Sequence, residues 1–356
     1  MTIPKEMNAV VLYGPNDFKV EKIPVHKPGP FEVLMKVKAT AICGTDVGII
    51  DGKHPGKWPK SFPYTQGHEW AGEVVELGEY TAGFGWKIGD RAAGTSHAGC
   101  GFCRMCTTGR YNLCENYGKT EIGHRQYGHY SQGSFAEYMV VNIKSIHKMP
   151  DTMTYDQGAL VDATSISLHS VKRAQIYPGD TVAIFGPGAL GILAVQCAHA
   201  LGAAKVIVVG AGDRLETAGT FNAIKVDYTA EDVVNRILEL TGGRGVDASV
   251  DTAATEDTVV QAVQVVRKGG RVAFTGIPYN PVNLPMQDIV LKEIDLFGVR
   301  ANRGTCEEVI PMISAGKLNV DAVITHHFPL TEFPKAYEIF TKRIDGALKV
   351  ILDPEK

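Results

Sequence analysis

The rhythm of apolar and polar positions changes along the chain. Residues 8–13, 18–23 and 32–40 place apolar side chains at roughly every second position, with Gly-Pro and Pro-Gly-Pro breakers between them. That period predicts strands with a buried face, joined as a small antiparallel unit. From residue 181 the pattern is different. Thr181-Val-Ala-Ile-Phe185 is a short, mostly apolar run that leads into Gly186, Gly188 and Gly191, and an apolar helical stretch over 192–201 follows. Strand-type runs recur at 205–209, 248–251, 270–276 and 296–300, with helical patterns over 230–241 and 255–267. Alternating strands and helices predict an α/β domain with a doubly wound parallel sheet. A helix over 332–343 and a strand over 347–352 end the chain, and no internal repeat is present.

The glycine run lies where a buried strand turns into a helix, which suits the pyrophosphate of a dinucleotide. Gly186 allows the turn, Gly188 lets the backbone approach the phosphates, and Gly191 lets helix and strand pack closely. Ala189 and Leu190 open the helix, whose free N–H groups and positive dipole end face the anion. Glycine-rich loops are often only turns, but here the flanking strand and helix are both visible. After the second strand, where an acid ordinarily holds the adenosine ribose hydroxyls, this chain has Gly210, followed by Asp213 and Arg214. Without a carboxylate there is nothing to repel a 2′-phosphate, and Arg214 offers a bidentate partner, so the expectation leans to NADP over NAD. Asp213 is the counter-argument, since a rearranged loop would let it reach the ribose. In the bland reading Asp213 is a helix N-cap and Arg214 a solvated first-turn residue. Gly276, Ile277 and Val299 follow later strands and are placed for the nicotinamide end, or are plain turn residues.

Length and charge narrow the field. A chain of 356 residues suggests about two domains, and 44% hydrophobic residues suit an ordinary globular protein. The net charge of −3 comes from 36 basic and 39 acidic residues, well mixed, so neither nucleic acid nor a membrane is an expected partner. The polar start and the lack of a long apolar run argue against export or anchoring, and a cytoplasmic location is expected.

Seven cysteines are present, four of them within fifteen positions: Cys100, Cys103, Cys106 and Cys114. In a reducing compartment that pattern favours metal over disulfides, and four thiolates fit a closed tetrahedral zinc. An iron–sulfur cluster is the rival; its usual run has a shorter last gap and a proline after the fourth cysteine, where this chain has Glu115. Cys197 and Cys306 are read as core and ordinary helix residues. A more dispersed set, Cys43, His68 and Asp162, has the ligand types of a catalytic zinc that keeps an open position, with Glu69 as a fourth ligand or an outer partner. Taken singly, a buried cysteine is usually a small apolar residue and an aspartate before a helix an N-cap.

Cys43-Gly-Thr45-Asp, Gly67-His-Glu69 with Gly72 and Gly78, the four-cysteine segment, Gly89-Asp-Arg91 and Gly186-Pro-Gly-Ala-Leu-Gly191 fall in an order that resembles the zinc-dependent medium-chain dehydrogenases over essentially the whole chain. The resemblance implies a GroES-like, mostly β catalytic domain over 1–163 with a zinc lobe at about 97–117, a Rossmann domain over 164–299, and a return to the catalytic domain over 300–356. It implies catalytic zinc on Cys43, His68 and Asp162, structural zinc on the four cysteines, about two zincs per chain, and a homo-tetramer or homo-dimer. Zinc would polarise a substrate hydroxyl and stabilise the alkoxide while hydride passes to NAD(P), with Thr45 handing the proton outward. The carboxylate at 162 resembles the sorbitol and polyol branch, so the expected substrate is a secondary alcohol, a polyol or sugar derivative, converted to its ketone. L-Threonine 3-dehydrogenase and simple secondary-alcohol dehydrogenases are the enzymatic alternatives. Zinc-free quinone reductases and catalytically silent relatives are the others, and both predict a degraded zinc set. Two departures stand out. Gly48 occupies the place where many relatives carry a relay histidine, leaving water, the cofactor ribose or another group, with His54 nearby; and the stretch from Gly78 to Gly89 is longer than usual.

Overall fold

The alternating N-terminal runs pair with one another. β1 (Glu6–Gly14) and β2 (Asp17–Pro24) form an antiparallel hairpin. Along β3 (Glu32–Ala41) the alternation is used on both faces: Val33, Met35 and Val37 enter one core with Trp70 and Tyr127, and Leu34 enters another with Met7, Ala9 and Val11. α1 (Gly44–Ile50) follows at once, and β4 (Tyr64–Thr65) pairs with β1. β5 (Trp70–Leu77) and β6 (Arg91–Gly94) continue the sheet from β3. A lobe comes next, built from β7 (His97–Ala98), α2 (Arg104–Thr107) and β8 (Arg125–Gln126). β9 (Tyr138–Asn142) pairs with β3, β10 (Ile146–Lys148) pairs with β6, and α3 (Tyr155–Ala159) leads to α4 (Val161–Arg173).

The parallel sheet then begins. β11 (Thr181–Phe185), α5 (Ala189–Ala200), β12 (Lys205–Gly210), α6 (Gly212–Gly219), β13 (Ile224–Asp227), α7 (Val233–Leu240), β14 (Val246–Asp251), α8 (Glu256–Gln264), β15 (Val266–Phe274), α9 (Met286–Lys292) and β16 (Asp295–Gly298) follow in turn. The strand order is β13-β12-β11-β14-β15-β16, all parallel, which is the doubly wound order with its reversal between β11 and β14. Phe185, Ile207, Val209, Val226 and Val272 pack with Val233, Ile237 and Val263 of the helices, which is why these strands read as apolar runs. α10 (Cys306–Ser314), β17 (Ile324–Pro329), α11 (Phe333–Lys342) and β18 (Lys349–Asp353) complete the chain. β18 pairs antiparallel with β3 and parallel with β17, giving a mixed sheet ordered β10-β6-β5-β3-β18-β17 with β9 against β3.

This computed structural model describes residues 2–356. They form two compact units: one runs to Asp162 and takes in Cys306–Gly316 and Val323–Lys356, the other holds Ala163–Thr305 and Lys317–Ala322. The α/β expectation is borne out: one unit carries a doubly wound parallel sheet and the other is mostly β. The return to the first unit begins at Cys306 instead of 300. Thr305 Oγ1 donates to Ser165 O at 2.8 Å and His169 Nδ1 meets Ala301 O at 2.8 Å, ties that keep those residues in the second unit. Gln196 likewise bonds both the carbonyl and the N–H of Asn319, at 3.0 and 2.7 Å. The helix expected over 255–267 stops at Gln264, because Val266 already pairs with Val246 in the sheet. β4 to β10, β13 and β17 have no counterpart among the expected strands: β13, Ile-Lys-Val-Asp, alternates over only four residues, and β17, Ile-Thr-His-His-Phe-Pro, has no apolar alternation.

Candidate functional site

In the first unit, β3 delivers the chain to Cys43, the N-cap of α1. His68 and Glu69 immediately precede β5, which pairs with β3, so two segments distant in sequence meet at one sheet end. The ligand atoms of Cys43, His68 and Glu69 all lie within 4.8 Å of one another, with His68 and Glu69 buried. Asp46 ties the set together. One of its carboxylate oxygens accepts the Cys43 N–H at 2.9 Å, and the other accepts from His68 Nδ1 at 3.1 Å. A carboxylate only accepts, so Nδ1 carries a hydrogen and Nε2 is the ring nitrogen left for a cation. Burial disfavours the imidazolium, but the negative groups Asp46 and Cys43 outweigh it and hold His68 well above its usual 6.5. A divalent cation supplies the same compensation that the extra proton supplies there.

Glu69 is not free for a metal in this arrangement. Lys349 Nζ donates to its Oε1 at 2.6 Å and to its Oε2 as well, in a fully buried pair. Burial alone would lower Lys349; the charges of Glu69 and Cys43 reverse that and raise it. Asp162, expected as the third ligand, stands outside the three-residue set. It lies in the first turn of α4, where Thr95 Oγ1 donates to its Oδ1 at 2.7 Å and Ser96 N at 3.3 Å. Burial pushes its carboxyl up to about 6, and His68 and Glu69 are close enough to act on it electrostatically. Thr45 is half-buried in the first turn of α1, two residues from Cys43. The His54 N–H donates to Gly48 O at 2.9 Å, and the His54 ring stacks on Trp58 at 4.7 Å. Trp58 also meets His129 edge-on at 4.5 Å, and His129 lies 5.0 Å from His68.

Asp46, Lys349, Thr95 and His129 carry this site without having been singled out in the sequence. Asp46 had a signal, three residues after Cys43 on one helical turn. Lys349 also had one, a lysine inside the apolar run of the last strand.

The lobe brings together Cys100, Cys103, Cys106 and Cys114. Cys100 and Cys106 sulfurs are 3.9 Å apart, as are those of Cys103 and Cys114. Four sulfurs at about 2.3 Å from a tetrahedral zinc stand about 3.8 Å apart, whereas a disulfide needs about 2.05 Å. Backbone N–H groups point at the sulfurs: Cys103 N to Cys100 at 3.4 Å, Cys106 N to Cys103 at 3.5 Å and Glu115 N to Cys103 at 3.4 Å. Burial pushes the Cys100 thiol up, but the Asn116, Phe102 and Cys103 donors outweigh it and bring it to about 6; burial lifts Cys106 to about 12. Four thiolates so close repel one another, and a cation at their centre removes that conflict.

In the second unit Gly186 stands at the turn between β11 and α5, and Gly191 packs close against it. Gly186 has φ +92°, and a Cβ there would meet Ala253 at 2.8 Å. Gly188 is the N-cap of α5 and has open space around it, as a ligand-facing position requires. A Cβ on Gly191 would lie 1.9 Å from Gly186 O. Thr252 Oγ1 donates to the carbonyls of Phe185 and Gly186, at 2.9 Å each, and so clamps the turn. Ala189 and Leu190 form the first turn of α5. Gly210 ends β12, and Asp213 and Arg214 lie in the first turn of α6, whose N-cap is Ala211 and not Asp213. Gly276, Ile277 and Val299 lie just past β15 and β16, on the C-terminal side of the sheet like the glycine turn; Val299 N bonds Phe274 O at 2.9 Å. Among the described residues no helix is long and apolar enough to cross a membrane.

Comparison with known proteins matches residues 29–151 to the alcohol dehydrogenase GroES-like domain and 189–315 to the zinc-binding dehydrogenase model. Sorbitol dehydrogenase of Bacillus subtilis strain 168 is 31% identical over all of this chain and 99% of its own length. L-Threonine 3-dehydrogenase of Bacillus licheniformis is 34% identical over 94% of both chains. A crystal structure of a zinc-binding dehydrogenase of Sinorhizobium meliloti 1021, bound to NADP, superposes with a TM-score of 0.89 at 31% identity, covering 99% of this chain and 100% of that one.

Proposed function

The chain belongs to the zinc-dependent alcohol dehydrogenase family, and from that premise we propose that it oxidises a secondary alcohol, a polyol or sugar derivative, to its ketone with NADP as hydride acceptor. The observation that carries the reading is the meeting of Cys43, His68 and Glu69 with Asp46 behind them. A catalytically silent relative has no need of such a set. When bound, zinc supplies the positive charge that favours ionisation of the alcohol, and the nicotinamide takes the hydride.

The protein's own residues do the rest. Cys43 Sγ and His68 Nε2 are the metal-facing atoms, and Asp46 fixes both by accepting from the Cys43 backbone and from His68 Nδ1. Asp162, outside the close set, is the third ligand in this proposal; Thr95 and Ser96 hold one of its oxygens and so aim the carboxylate. Lys349 neutralises Glu69, making it an outer partner and not a permanent ligand. Thr45 Oγ1 receives the substrate proton and passes it on to water, since Gly48 offers no side chain for a relay. Cys100, Cys103, Cys106 and Cys114 hold a second zinc that pins the lobe, for two per chain. In the second unit, Gly186, Gly188, Ala189, Leu190 and Gly191 bind the pyrophosphate, Gly210 and Arg214 receive the phosphorylated ribose, and Gly276, Ile277 and Val299 lie at the nicotinamide end. The enzyme works in the cytoplasm as a homo-oligomer.

The threonine dehydrogenase relatives support a second substrate reading with the same machinery. A spectrophotometric screen on zinc-loaded protein, with NAD and NADP in parallel against sorbitol, xylitol, other polyols, L-threonine and simple secondary alcohols, tests both. Polyol turnover with NADP is expected. Threonine turnover would keep the chemistry and change the substrate; no turnover on any of them would sink the reading.

A further inference from the structure

We propose that Pro187, inside the glycine turn, is the residue that keeps an acid from standing at the end of β12 and so sets the choice of dinucleotide. The inference rests on the reading that the second unit binds a nicotinamide dinucleotide. Gly210 is the last residue of β12, and its φ is outside the left-handed region, so its backbone does not require glycine. Space does. A Cβ at 210 would lie 2.2 Å from Pro187 Cγ and 2.4 Å from its Cδ, well inside any real carbon–carbon contact.

The Pro187 ring has nowhere to go. It is buried, and a pyrrolidine ring tied to its own backbone nitrogen cannot swing aside as a flexible side chain would. The backbone beside it is held on every side: the Gly186 N–H donates to Val209 O at 3.0 Å, Gly186 O accepts from Thr252 Oγ1 at 2.9 Å, and Gly191 is packed against that same carbonyl. The three atoms nearest to a Cβ at 210 all belong to the Pro187 ring, so the crowding there is Pro187's. A carboxylate at 210, the group that would accept from both ribose hydroxyls and repel a 2′-phosphate, is therefore excluded by a residue 23 positions away. It follows that a single substitution at 210 cannot convert the cofactor preference; the pair must change together. In Pro187→Ala only the proline Cβ is kept, 3.4 Å from the new Cβ at 210, which is an ordinary contact.

The test uses the full chain as wild type, Gly210→Ala, Gly210→Asp, Pro187→Ala, and both 210 substitutions combined with Pro187→Ala. The first readout is the melting temperature without dinucleotide. Gly210→Ala, which adds only the colliding carbon, is expected to melt several degrees lower, with most of the loss recovered when Pro187→Ala is added. The second is fluorescence titration with NADPH and NADH. Wild type is expected to prefer NADPH and Gly210→Asp alone to bind both poorly. Gly210→Asp combined with Pro187→Ala is expected to shift the NADH-to-NADPH affinity ratio at least tenfold toward NADH. Additive melting shifts, or a preference switched as far by Gly210→Asp alone, would overturn the role of Pro187 while leaving dinucleotide binding intact. A wild type that prefers NADH would overturn the specificity claim, and one that binds neither would overturn the dinucleotide reading itself.

Discussion

Lys349 and Glu69 form a buried ion pair, and such a pair responds very differently to losing one partner than to losing both. Lys349→Met leaves the Glu69 carboxylate buried without its cation and is expected to cost about 3–5 kcal/mol, read from the denaturant midpoint. The double variant Lys349→Met with Glu69→Gln is expected to recover a large part of that loss. A single variant within about 1 kcal/mol of wild type would show that the pair does not hold this end of the sheet. Asp247 gives a pH signature in the other unit. Burial pushes its carboxyl up, but Arg267 Nε at 2.6 Å, the Thr181 N–H at 2.9 Å and Arg244 outweigh it and set it below the usual range. Its folded value is thus below the unfolded value of about 3.9, so its stabilisation is complete above that pH and is lost as pH falls through the folded value. Melting temperatures between about pH 6 and 3 are expected to fall more steeply for wild type than for Asp247→Asn, with parallel curves as the refuting result.

At the scale of elements, the strand–turn–helix of β11 and α5 separates packing from binding. Gly191→Ala drives a methyl into Gly186 O and is expected to destabilise the protein by about 1–3 kcal/mol. Gly188→Ala meets nothing within 4 Å, so its melting temperature is expected to stay near wild type while dinucleotide binding weakens. Equal melting temperatures for the two variants would contradict this division. Much of this element was legible: an apolar run, three glycines and an apolar helix announce themselves locally. Pro187 was not, because its contact with Gly210 depends on how two adjacent parallel strands are paired. The four-cysteine lobe was legible for the same local reason as the glycine turn, its cysteines being close in the chain. Cys103→Ser is expected to lower bound zinc by one per chain and to lower the melting temperature, whereas Cys43→Ser is expected to abolish turnover with the lobe zinc retained.

For the whole molecule, the two metal sites are expected to part company under chelation. A site that keeps one position open exchanges more readily than four thiolates closed around a cation. Dialysis against a chelator should first remove about one zinc per chain together with activity, and only later the second zinc together with thermal stability. Simultaneous loss of both would contradict the assignment of separate roles. The sequence by itself determined the fold class, the strand–glycine–helix segment and the run of four cysteines, and it singled out Cys43 and His68, which the structure brings together. These rest on period, spacing and residue type, which are local properties of a chain. Only the tertiary structure decided that Glu69 is neutralised by Lys349, that Asp162 stands outside the close set against Thr95 and Ser96, and that residues 300–305 stay with the parallel-sheet unit. Each depends on which strands become neighbours and what burial then demands of a charge. β18 must lie beside β3 before a lysine 280 positions away can meet Glu69, and burial then leaves that carboxylate no inexpensive alternative to the pair.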